Sequence, residues 1–227
     1  MSIALVVGAG AGLSASVARK LAGRGHAVVL AARDTSDLDD LARETGAIAI
    51  DADARDAGDM ARVFERVDDM DGDLTVAVYN PSARVRGAVD EVDPATVENA
   101  ILVSAYGAFL MAHHAAKRMK PRGHGALLFT GASAGVKGFA NSSVFAMGKF
   151  ALRGLCQSLA RELHPQGIHI GHFVIDGGIA SARADRQQGN DDMLDPDAIA
   201  ETYMHFLDQH RSAWAWEVEL RPWVERF

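Results

Sequence analysis

Apolar runs and amphipathic stretches alternate along most of the chain. The apolar runs are typical of strands that are buried on both faces, and they predict strands at 3–7, 27–32, 47–50, 74–79, 125–130, 168–174 and 215–220. The stretches between them carry apolar residues at helical spacing and predict helices at 13–23, 36–45, 56–69, 94–119, 142–164 and 196–209. Strands that alternate with helices predict an α/β fold, a single doubly wound domain over 1–227 with a mainly parallel seven-stranded sheet and helices on both faces.

Two segments depart from this alternation. Residues 177–196 contain Gly-Gly, Gln-Gln-Gly-Asn and Asp-Asp, and irregular segments of that length are usually functional, so they predict a mobile substrate or lid loop. Residues 213–227 alternate apolar and polar positions and predict a C-terminal strand and tail. The three tryptophans of the tail leave two alternatives, contact with another subunit or an edge strand packed within the chain.

The first predicted strand runs directly into a glycine turn that precedes the first helix. This turn supplies Gly8, Gly10, Ala11, Gly12 and Leu13 as candidate cofactor-binding residues. A phosphate binds backbone N–H groups at a helix N-terminus, and a Cβ in the turn would hold it away. The order strand, glycine turn, helix therefore predicts a Rossmann-like dinucleotide site, although a tight turn without a ligand is the alternative.

The end of the second predicted strand bears on the choice of cofactor. In dinucleotide-binding folds an acidic residue at this place accepts the 2′-hydroxyl of the adenosine ribose. Here Ala32 occupies that place and Arg33 follows it, and a guanidinium suits a 2′-phosphate. The sequence therefore favours NADP(H) over NAD(H), with a surface ion pair between Arg33 and Asp34 as the alternative.

Polar residues also follow the third and fourth predicted strands. Asp53 is placed to bind the adenine amino group and Ala54 to offer its backbone. The alternative for Asp53 is a cap cluster for the helix near Asp56, and the two roles are compatible. Asn80 and Pro81 stand at the carboxyl end of the fourth strand, where ligands bind in such sheets. We therefore include all four residues in the predicted cofactor site.

Composition excludes several classes of partner. The net charge of −7, with acidic and basic residues interspersed, argues against nucleic acid. The single cysteine, Cys156, fits a buried core thiol in a reducing compartment, and the absence of a signal peptide predicts a cytoplasmic protein. No apolar run reaches about 18 residues, so no membrane span is predicted. The nine histidines show no metal-ligand spacing, so no metal is predicted.

Together these residues resemble the short-chain dehydrogenase/reductase family over nearly the whole chain. The resemblance is carried by Gly8–Gly12, Asp53, Asn80, Phe145–Lys149 and Asp176–Ile179. It implies hydride transfer between a nicotinamide cofactor and a small carbonyl or alcohol. It also implies that the backbone around Gly177 and Ile179 holds the nicotinamide amide, although Asp176 replaces the usual proline.

The resemblance fails at most of the proton-transferring positions. The family's tyrosine position holds Phe145, which has no proton to give, and its asparagine position holds Ser104. Its serine position holds Ala132, with Ser133 directly after it. Lys149 keeps the family's lysine position four residues after the aromatic ring, with a solvated helix lysine as the alternative.

Two functions remain open at this point. Loss of a general acid typically costs 10²–10⁴-fold in rate, so cofactor binding can persist while carbonyl reduction becomes slow. The first function is an NAD(P)-dependent oxidoreductase with a non-standard proton donor, for which Ser133 is favoured over Ser143, Tyr106, Lys149 and water. The second is a catalytically impaired NADP(H)-binding protein that acts as a sensor or an oligomeric partner. In the family, helix 142–164 and the helix before it form a dimer contact, so a homodimer or homotetramer is expected.

Overall fold

Nine strands are found in the part of the chain that this computed structural model describes, which is residues 1–180 and 192–225. In chain order they are β1 Ser2–Val7, β2 Ala27–Ala32, β3 Ile48–Asp51, β4 Asp73–Tyr79, β5 Gly125–Thr130, β6 Ile168–Ile175, β7 Gly178–Ile179, β8 Met193–Leu194 and β9 Glu217–Leu220. Seven strands form one parallel sheet in the order β3-β2-β1-β4-β5-β6-β9. The predicted seven-stranded parallel sheet is confirmed.

Helices cover both faces of this sheet. They are α1 Leu13–Gly23, α2 Asp39–Thr45, α3 Ala57–Asp68, α4 Pro94–Ile101, α5 Gly107–Met119, α6 Ser143–Leu163 and α7 Pro196–Leu207. Buried side chains of α1, α2 and α7 form one core with the sheet, and those of α3, α5 and α6 form the other. The fold is therefore doubly wound, as the alternation of strands and helices predicts.

Strand β1 shows why the strands read as continuous apolar runs. Ala4 and Val6 face the core under α1 and α7, whereas Ile3 and Leu5 face the core under α3 and α5, and all four are fully buried. A strand between two helical layers has no solvent-facing side, so it needs apolar residues at every position.

The apolar stretch at 94–119 is not one regular helix. A π-helical segment, Leu102–Tyr106, joins α4 to α5, and the helix ends in a 3₁₀ turn at Lys120–Arg122. Among the described residues, Pro94–Arg122 is the one helical stretch long and apolar enough to cross a membrane by length and composition, with a mean hydropathy of 1.3. Its buried side packs on β4 and β5, and Tyr106 and Phe109 are exposed.

The two segments that departed from the alternation are partly regular. The expectation that 177–196 is irregular is wrong at its ends, because β7 and β8 pair in parallel and the Ala180 N–H donates to Leu194 O at 2.8 Å. Residues 181–191, the middle of the predicted lid loop, lie outside the described residues.

The predicted C-terminal strand begins two residues late, because the Ala215 N–H donates to the side chain of Gln209 instead of a strand. Trp214 stacks on His169 within the chain, with ring centroids 4.3 Å apart, whereas Trp223 is 81% exposed. The last two residues, 226 and 227, are also outside the described part.

Candidate active site

The turn between β1 and α1 fixes one wall of the site. Gly8 has a φ of +79°, and the N–H groups of Gly8 and Ala9 donate to Ala31 O at 2.8 and 3.0 Å. A methyl group at position 8 would lie 2.7 Å from the Pro81 ring. Glycine is therefore required at this position both by the backbone conformation and by the close approach of Pro81.

The other two glycines of the turn leave open space. A methyl group at Gly10 or Gly12 would meet no atom within 4 Å, and neither residue has a positive φ. No side chain caps the amino end of α1, Ala11 is exposed, and the side chain of Leu13 is buried, which leaves its backbone. The helix N-terminus is thus an uncovered cradle of the kind that binds a pyrophosphate, so these residues fit the nucleotide implied by the fold.

A cavity of about 590 Å³ opens at the carboxyl ends of β1, β2, β3 and β4. Five predicted cofactor residues line it, namely Gly8, Arg33, Asp53, Ala54 and Pro81. Its position is where the strand order reverses, between β1 and β4, and ligands of doubly wound sheets bind there. The structure therefore brings residues from four separate loops to one crevice.

Asp53 makes more hydrogen bonds within the chain than the sequence predicts. Its carboxylate accepts hydrogen bonds from Arg55, and this guanidinium holds the pKa of Asp53 below its ordinary value. The cap of α3 is Asp56, whose carboxylate accepts from the Asp59 N–H at 2.8 Å. Asp53 belongs to the same cap cluster, because its N–H donates to the carboxylate of Asp59 at 2.8 Å. The contact of Asp53 with adenine, which is compatible with this role, stays a prediction.

The same cavity is lined by residues that the sequence interpretation missed. Asn99 and Val103 reach it from α4 and the π-helical segment, and Asp37 reaches it from the 3₁₀ turn before α2. Asn99 also accepts a hydrogen bond from Arg55, which joins it to Asp53. The spacing of Asn99 and Val103, four residues apart on one helix, places both on the same helix face and was the available signal.

Asn80 links β4 to the glycine turn through hydrogen bonds and does not line the cavity. Its side-chain amide donates to Ser14 Oγ at 2.7 Å, and Ser14 Oγ donates to Gly8 O at 2.8 Å. These bonds fix the end of β4 to the start of α1 and to the glycine turn. Asn80 is not among the residues that line the cavity, so direct contact with a cofactor stays a prediction for it.

Arg33 is exposed at the end of β2 and lines the cavity. Asp34 accepts a hydrogen bond from the Ser36 N–H at 2.9 Å, and within 1–180 and 192–225 there is no ion pair between Arg33 and Asp34. The surface-pair alternative for Arg33 is therefore not what the structure shows.

Lys149 lies on the side of α6 that faces the sheet. Its side chain is 2% exposed, and Nζ donates to Thr130 O at 2.8 Å at the end of β5. Burial lowers the pKa of the Lys149 ammonium from 10.5 to about 8. The alternative of a solvated helix lysine is wrong. Phe145 is half-buried one turn earlier, with its ring centroid 5.9 Å from Nζ.

The other predicted catalytic positions surround the backbone of Lys149. Ser133 begins a 3₁₀ turn that ends at Gly135, where a methyl group would lie 2.9 Å from Lys149 O. The hydroxyl of Ser133 makes no hydrogen bond to the described residues. Ser104 is buried in the π-helical segment, and a methyl group at Gly148 would lie 2.8 Å from its Cβ. The structure thus brings Ser133, Ser104 and Phe145 to the same turn of α6.

Gly177 and Ile179 lie beyond the lining of the cavity. A methyl group at Gly177 would lie 2.8 Å from the Pro222 ring, and Ile179 pairs with Leu194 in the short β7–β8 ladder. Their contact with a nicotinamide amide stays a prediction. Across the described part of the chain no three His, Cys, Asp or Glu side chains converge as metal ligands.

Known proteins resemble this chain in sequence and in overall fold. The model of the family described as short chain dehydrogenase matches residues 2–191. The cis-4-hydroxycyclohexanecarboxylate dehydrogenase of Sinomonas cyclohexanicum is 31% identical over 173 residues, which cover 74% of this chain and 70% of that enzyme. A short-chain dehydrogenase structure from Rhodopseudomonas palustris has a TM-score of 0.85 and 29% identity, covering 98% of this chain and 99% of that one.

A metagenomic short-chain oxidoreductase solved in complex with NADP has a TM-score of 0.84 and 27% identity, over 97% of each chain. The family match extends over most of the chain and includes the glycine turn, the crevice and the lysine of α6. The chain therefore belongs to the short chain dehydrogenase family of NAD(P)-dependent oxidoreductases.

Proposed function

We propose that this protein is an NADP(H)-dependent oxidoreductase that acts on a small carbonyl or alcohol with a proton donor other than tyrosine. The observation that carries the choice of cofactor is Arg33, an exposed guanidinium that directly follows β2, whose last residue is Ala32 where NAD(H) would favour an acidic residue. A planar guanidinium can bind a 2′-phosphate through paired charge-assisted hydrogen bonds. The relative solved with NADP supports the same cofactor.

The proposed cofactor site has two halves. The N-terminus of α1 and the residues around Arg33 hold the pyrophosphate and the adenosine half. Lys149 and the backbone near Gly177 and Ile179 serve the nicotinamide half. When bound, the cofactor supplies or accepts the hydride at the substrate carbon, and the protein must supply or accept one proton at the substrate oxygen.

Cofactor choice can be tested with two neighbouring variants, because Asp34 also lines the cavity and could bind a ribose hydroxyl of NAD(H). We expect Arg33→Ala to weaken NADPH binding by about 10-fold or more and to leave NADH binding unchanged, because a hydrogen bond to a charged group contributes about 1.5–3 kcal/mol. Asp34→Asn is the matched control and should leave NADPH binding unchanged. Tighter binding of NADH than NADPH to the unaltered protein, lost in Asp34→Asn, would reverse the proposal.

We propose that Ser133 donates the proton to the substrate oxygen and that Lys149 reprotonates Ser133. The Ser133 hydroxyl has no other hydrogen-bond partner in the described chain, and its turn packs on the backbone of Lys149. The Lys149 ammonium uses one of its three N–H groups on Thr130 O and has a pKa lowered by burial, so it can return a proton near neutral pH. During reduction the substrate carbon gains a hydride and the substrate oxygen gains the proton of Ser133. Lys149 then returns a proton to Ser133 and recovers one from water.

The impaired cofactor-binding protein is the second candidate, and the half-buried Phe145 ring favours it because that ring has no proton to give. Phe145→Tyr separates the two. If only the tyrosine hydroxyl is missing, ketone reduction with NADPH should rise by about 10²–10⁴-fold. If Ser133 already carries the proton, the unaltered protein turns over a ketone or aldehyde panel, and Ser133→Ala removes most of that rate.

Ser143→Ala is the control for this comparison, because Ser143 is exposed at the start of α6. Measurable NADPH binding with no turnover of any aldehyde, ketone or quinone would establish the second candidate.

We also propose that the protein acts as a homodimer or homotetramer in the cytoplasm. Tyr106, Phe109, Met147 and Phe150 are exposed on α5, α6 and the π-helical segment. Large apolar side chains grouped on one face are typical of subunit contacts. The single buried thiol and the absence of disulfides within the chain fit a reducing compartment.

A further inference from the structure

The segment that follows β4 is fixed at two points. At its start Pro81 packs against Gly8, where a methyl group would lie 2.7 Å from the proline ring. At its end the Gly87 N–H donates to Asn141 O at 3.0 Å, just before α6. Asn141 has a φ of +56°, a conformation that non-glycine residues adopt rarely and often at functional sites. Residues between these points are therefore held at a defined place above the site.

Arg84 lies midway along this segment and reaches the aromatic ring at the family's tyrosine position. Its guanidinium carbon is 5.5 Å from the Phe145 ring centroid, and Lys149 Nζ is 5.9 Å from the same centroid. One ring is thus approached by two cations. Such contacts are weak at exposed sites, about 0.5–1 kcal/mol, so the N–H groups of the exposed Arg84 remain available to a ligand.

No carboxylate of the described residues balances these two charges. Asp176 is paired with Lys137 at 3.2 Å and with Arg221 at 3.5 Å. Glu217 is paired with Arg153 and His172. The chain as a whole has a net charge of −7, yet within 1–180 and 192–225 no carboxylate pairs with the two cations beside Phe145. An uncompensated charge at an exposed position beside the site favours a ligand of opposite sign.

We infer that Arg84 binds a carboxylate of the substrate, so that the enzyme acts on keto acids or hydroxy acids rather than on neutral ketones or alcohols. This inference rests on the proposed function and names the substrate class of that same site. A single guanidinium matches one planar carboxylate through two parallel hydrogen bonds. Arg84 is then a specificity residue that orients the substrate over Phe145, while the side chain of Lys149 stays buried.

The test compares each acid with its own neutral ester. The substrates are 2-, 3- and 4-oxocyclohexanecarboxylate and their methyl esters, with NADPH saturating. We expect kcat/KM of at least one acid to exceed that of its ester by about 10-fold or more, mainly through KM. Arg84→Gln should bring this ratio close to one, and Arg84→Lys should restore part of it.

The matched control is Arg86→Gln, because Arg86 is exposed in the same segment and also has no ion pair within the described residues. It should leave the acid-to-ester ratio unchanged. An equal rate with acid and ester in the unaltered protein would overturn the inference, as would an equal loss for both substrates in Arg84→Gln. A preference for dihydroxyacetone phosphate over dihydroxyacetone, with none for the carboxylates, would overturn it in favour of a phosphate.

A binding measurement separates this inference from the proposed reaction. Cyclohexanecarboxylate and cyclohexanecarboxamide are titrated calorimetrically into the protein loaded with NADP. Tighter binding of the carboxylate, lost in Arg84→Gln and kept in Arg86→Gln, supports the role of Arg84 even when no ketone is reduced. Equal binding of both compounds contradicts it, whatever the turnover.

Discussion

The side chain of Lys149 is buried with a single hydrogen bond, from Nζ to Thr130 O. No carboxylate among the described residues is paired with it, and burial lowers its pKa from 10.5 to about 8. Such a shift corresponds to about 3 kcal/mol against the folded state at neutral pH, where the ammonium must be buried charged. The fold therefore carries an unfavourable charge at the place where the proposed reaction needs one.

We expect Lys149→Met to stabilise the protein at pH 7 by up to about 3 kcal/mol and to abolish turnover. The charge is present in both states below pH 8, and the unfolded chain keeps its proton up to about pH 10.5. The gain should therefore be full below pH 8 and fade as the pH rises toward 10.5. Urea unfolding at several pH values measures this.

Lys117→Met, on the exposed face of α5, is the control for Lys149→Met and should change stability little at any pH. A Lys149→Met protein that is less stable than the unaltered protein at pH 7 would show that the bond to Thr130 outweighs the cost of burial.

The sequence identifies Lys149 by its spacing to Phe145, but it does not reveal the burial. That depends on Thr130 and Gly135, which arrive from other elements and contribute a carbonyl and a close backbone contact. Arg84 was missed for a similar reason. Its contact with Phe145 joins residues far apart in the chain, and no local pattern marks it.

At the scale of elements, the edge strand β9 is held to the sheet by a charged cluster as well as by its backbone. Glu217 accepts two hydrogen bonds from Arg153 of α6, at 2.7 and 2.9 Å, and lies 2.9 Å from Nδ1 of the buried His172 on β6. Burial alone would raise the pKa of Glu217, but the bonds from Arg153 and His172 outweigh it and lower that pKa below 4.5. One carboxylate thus connects β9 to both of its neighbours.

Glu217→Gln should destabilise the protein by about 1–3 kcal/mol at pH 7, because it removes the charge that these two partners face. The pKa of Glu217 is lowered in the folded state, so its contribution is complete above pH 4.5 and is lost as the pH falls through the lowered value. The difference between the two proteins, followed by thermal unfolding, should therefore shrink in acid.

The control for Glu217→Gln is Glu219→Gln on the same strand. Glu219 is exposed and its ion pair with Arg221 lies near the surface, where such pairs contribute about 0–1 kcal/mol. An equal loss of stability in both variants would contradict a special role for the buried side of the cluster.

Most elements could be predicted from the sequence because buried parallel strands and amphipathic helices have different periods. Strands β2 and β5 and helix α1 match their predicted limits. The π-helical segment at Leu102–Tyr106 could not be predicted, because nearly every residue from 101 to 112 is apolar or small. An extra residue in a helical turn therefore leaves no visible break in the apolar pattern. That segment carries Val103 to the cavity and Ser104 to α6, so the missed feature lies at the candidate site.

For the whole molecule, the parallel order of the sheet brings the carboxyl ends of its strands to one edge, and the site lies there. This much follows from the alternation of strands and helices alone. The oligomeric state is also a property of the whole molecule. The proposed partner of the exposed apolar side chains of α5 and α6 is a second copy of the chain.

We expect the combined variant Phe109→Glu and Phe150→Glu to dissociate the proposed dimer, weakening self-association by about 100-fold or more. Each burial of a large apolar side chain contributes about 1.5–3 kcal/mol, and a symmetric contact doubles every change. Sedimentation at micromolar concentrations measures the oligomeric state. Val89→Glu is the control, because Val89 is 83% exposed in the segment between β4 and α4. A second measurement uses about 100 μM protein, well above the micromolar concentrations of the first. An unaltered protein that is still monomeric there would contradict the proposed assembly.

Cys156 is the only cysteine of the chain, and it is fully buried on α6 within the core beneath α3, α5 and α6. Burial raises the pKa of its thiol, so the native fold withholds the reactive thiolate from reagents in solution. A disulfide reagent can then label the protein only when α6 leaves the sheet. The unaltered chain therefore contains its own reporter of transient opening, and the labelling rate gives the free energy of that opening under native conditions.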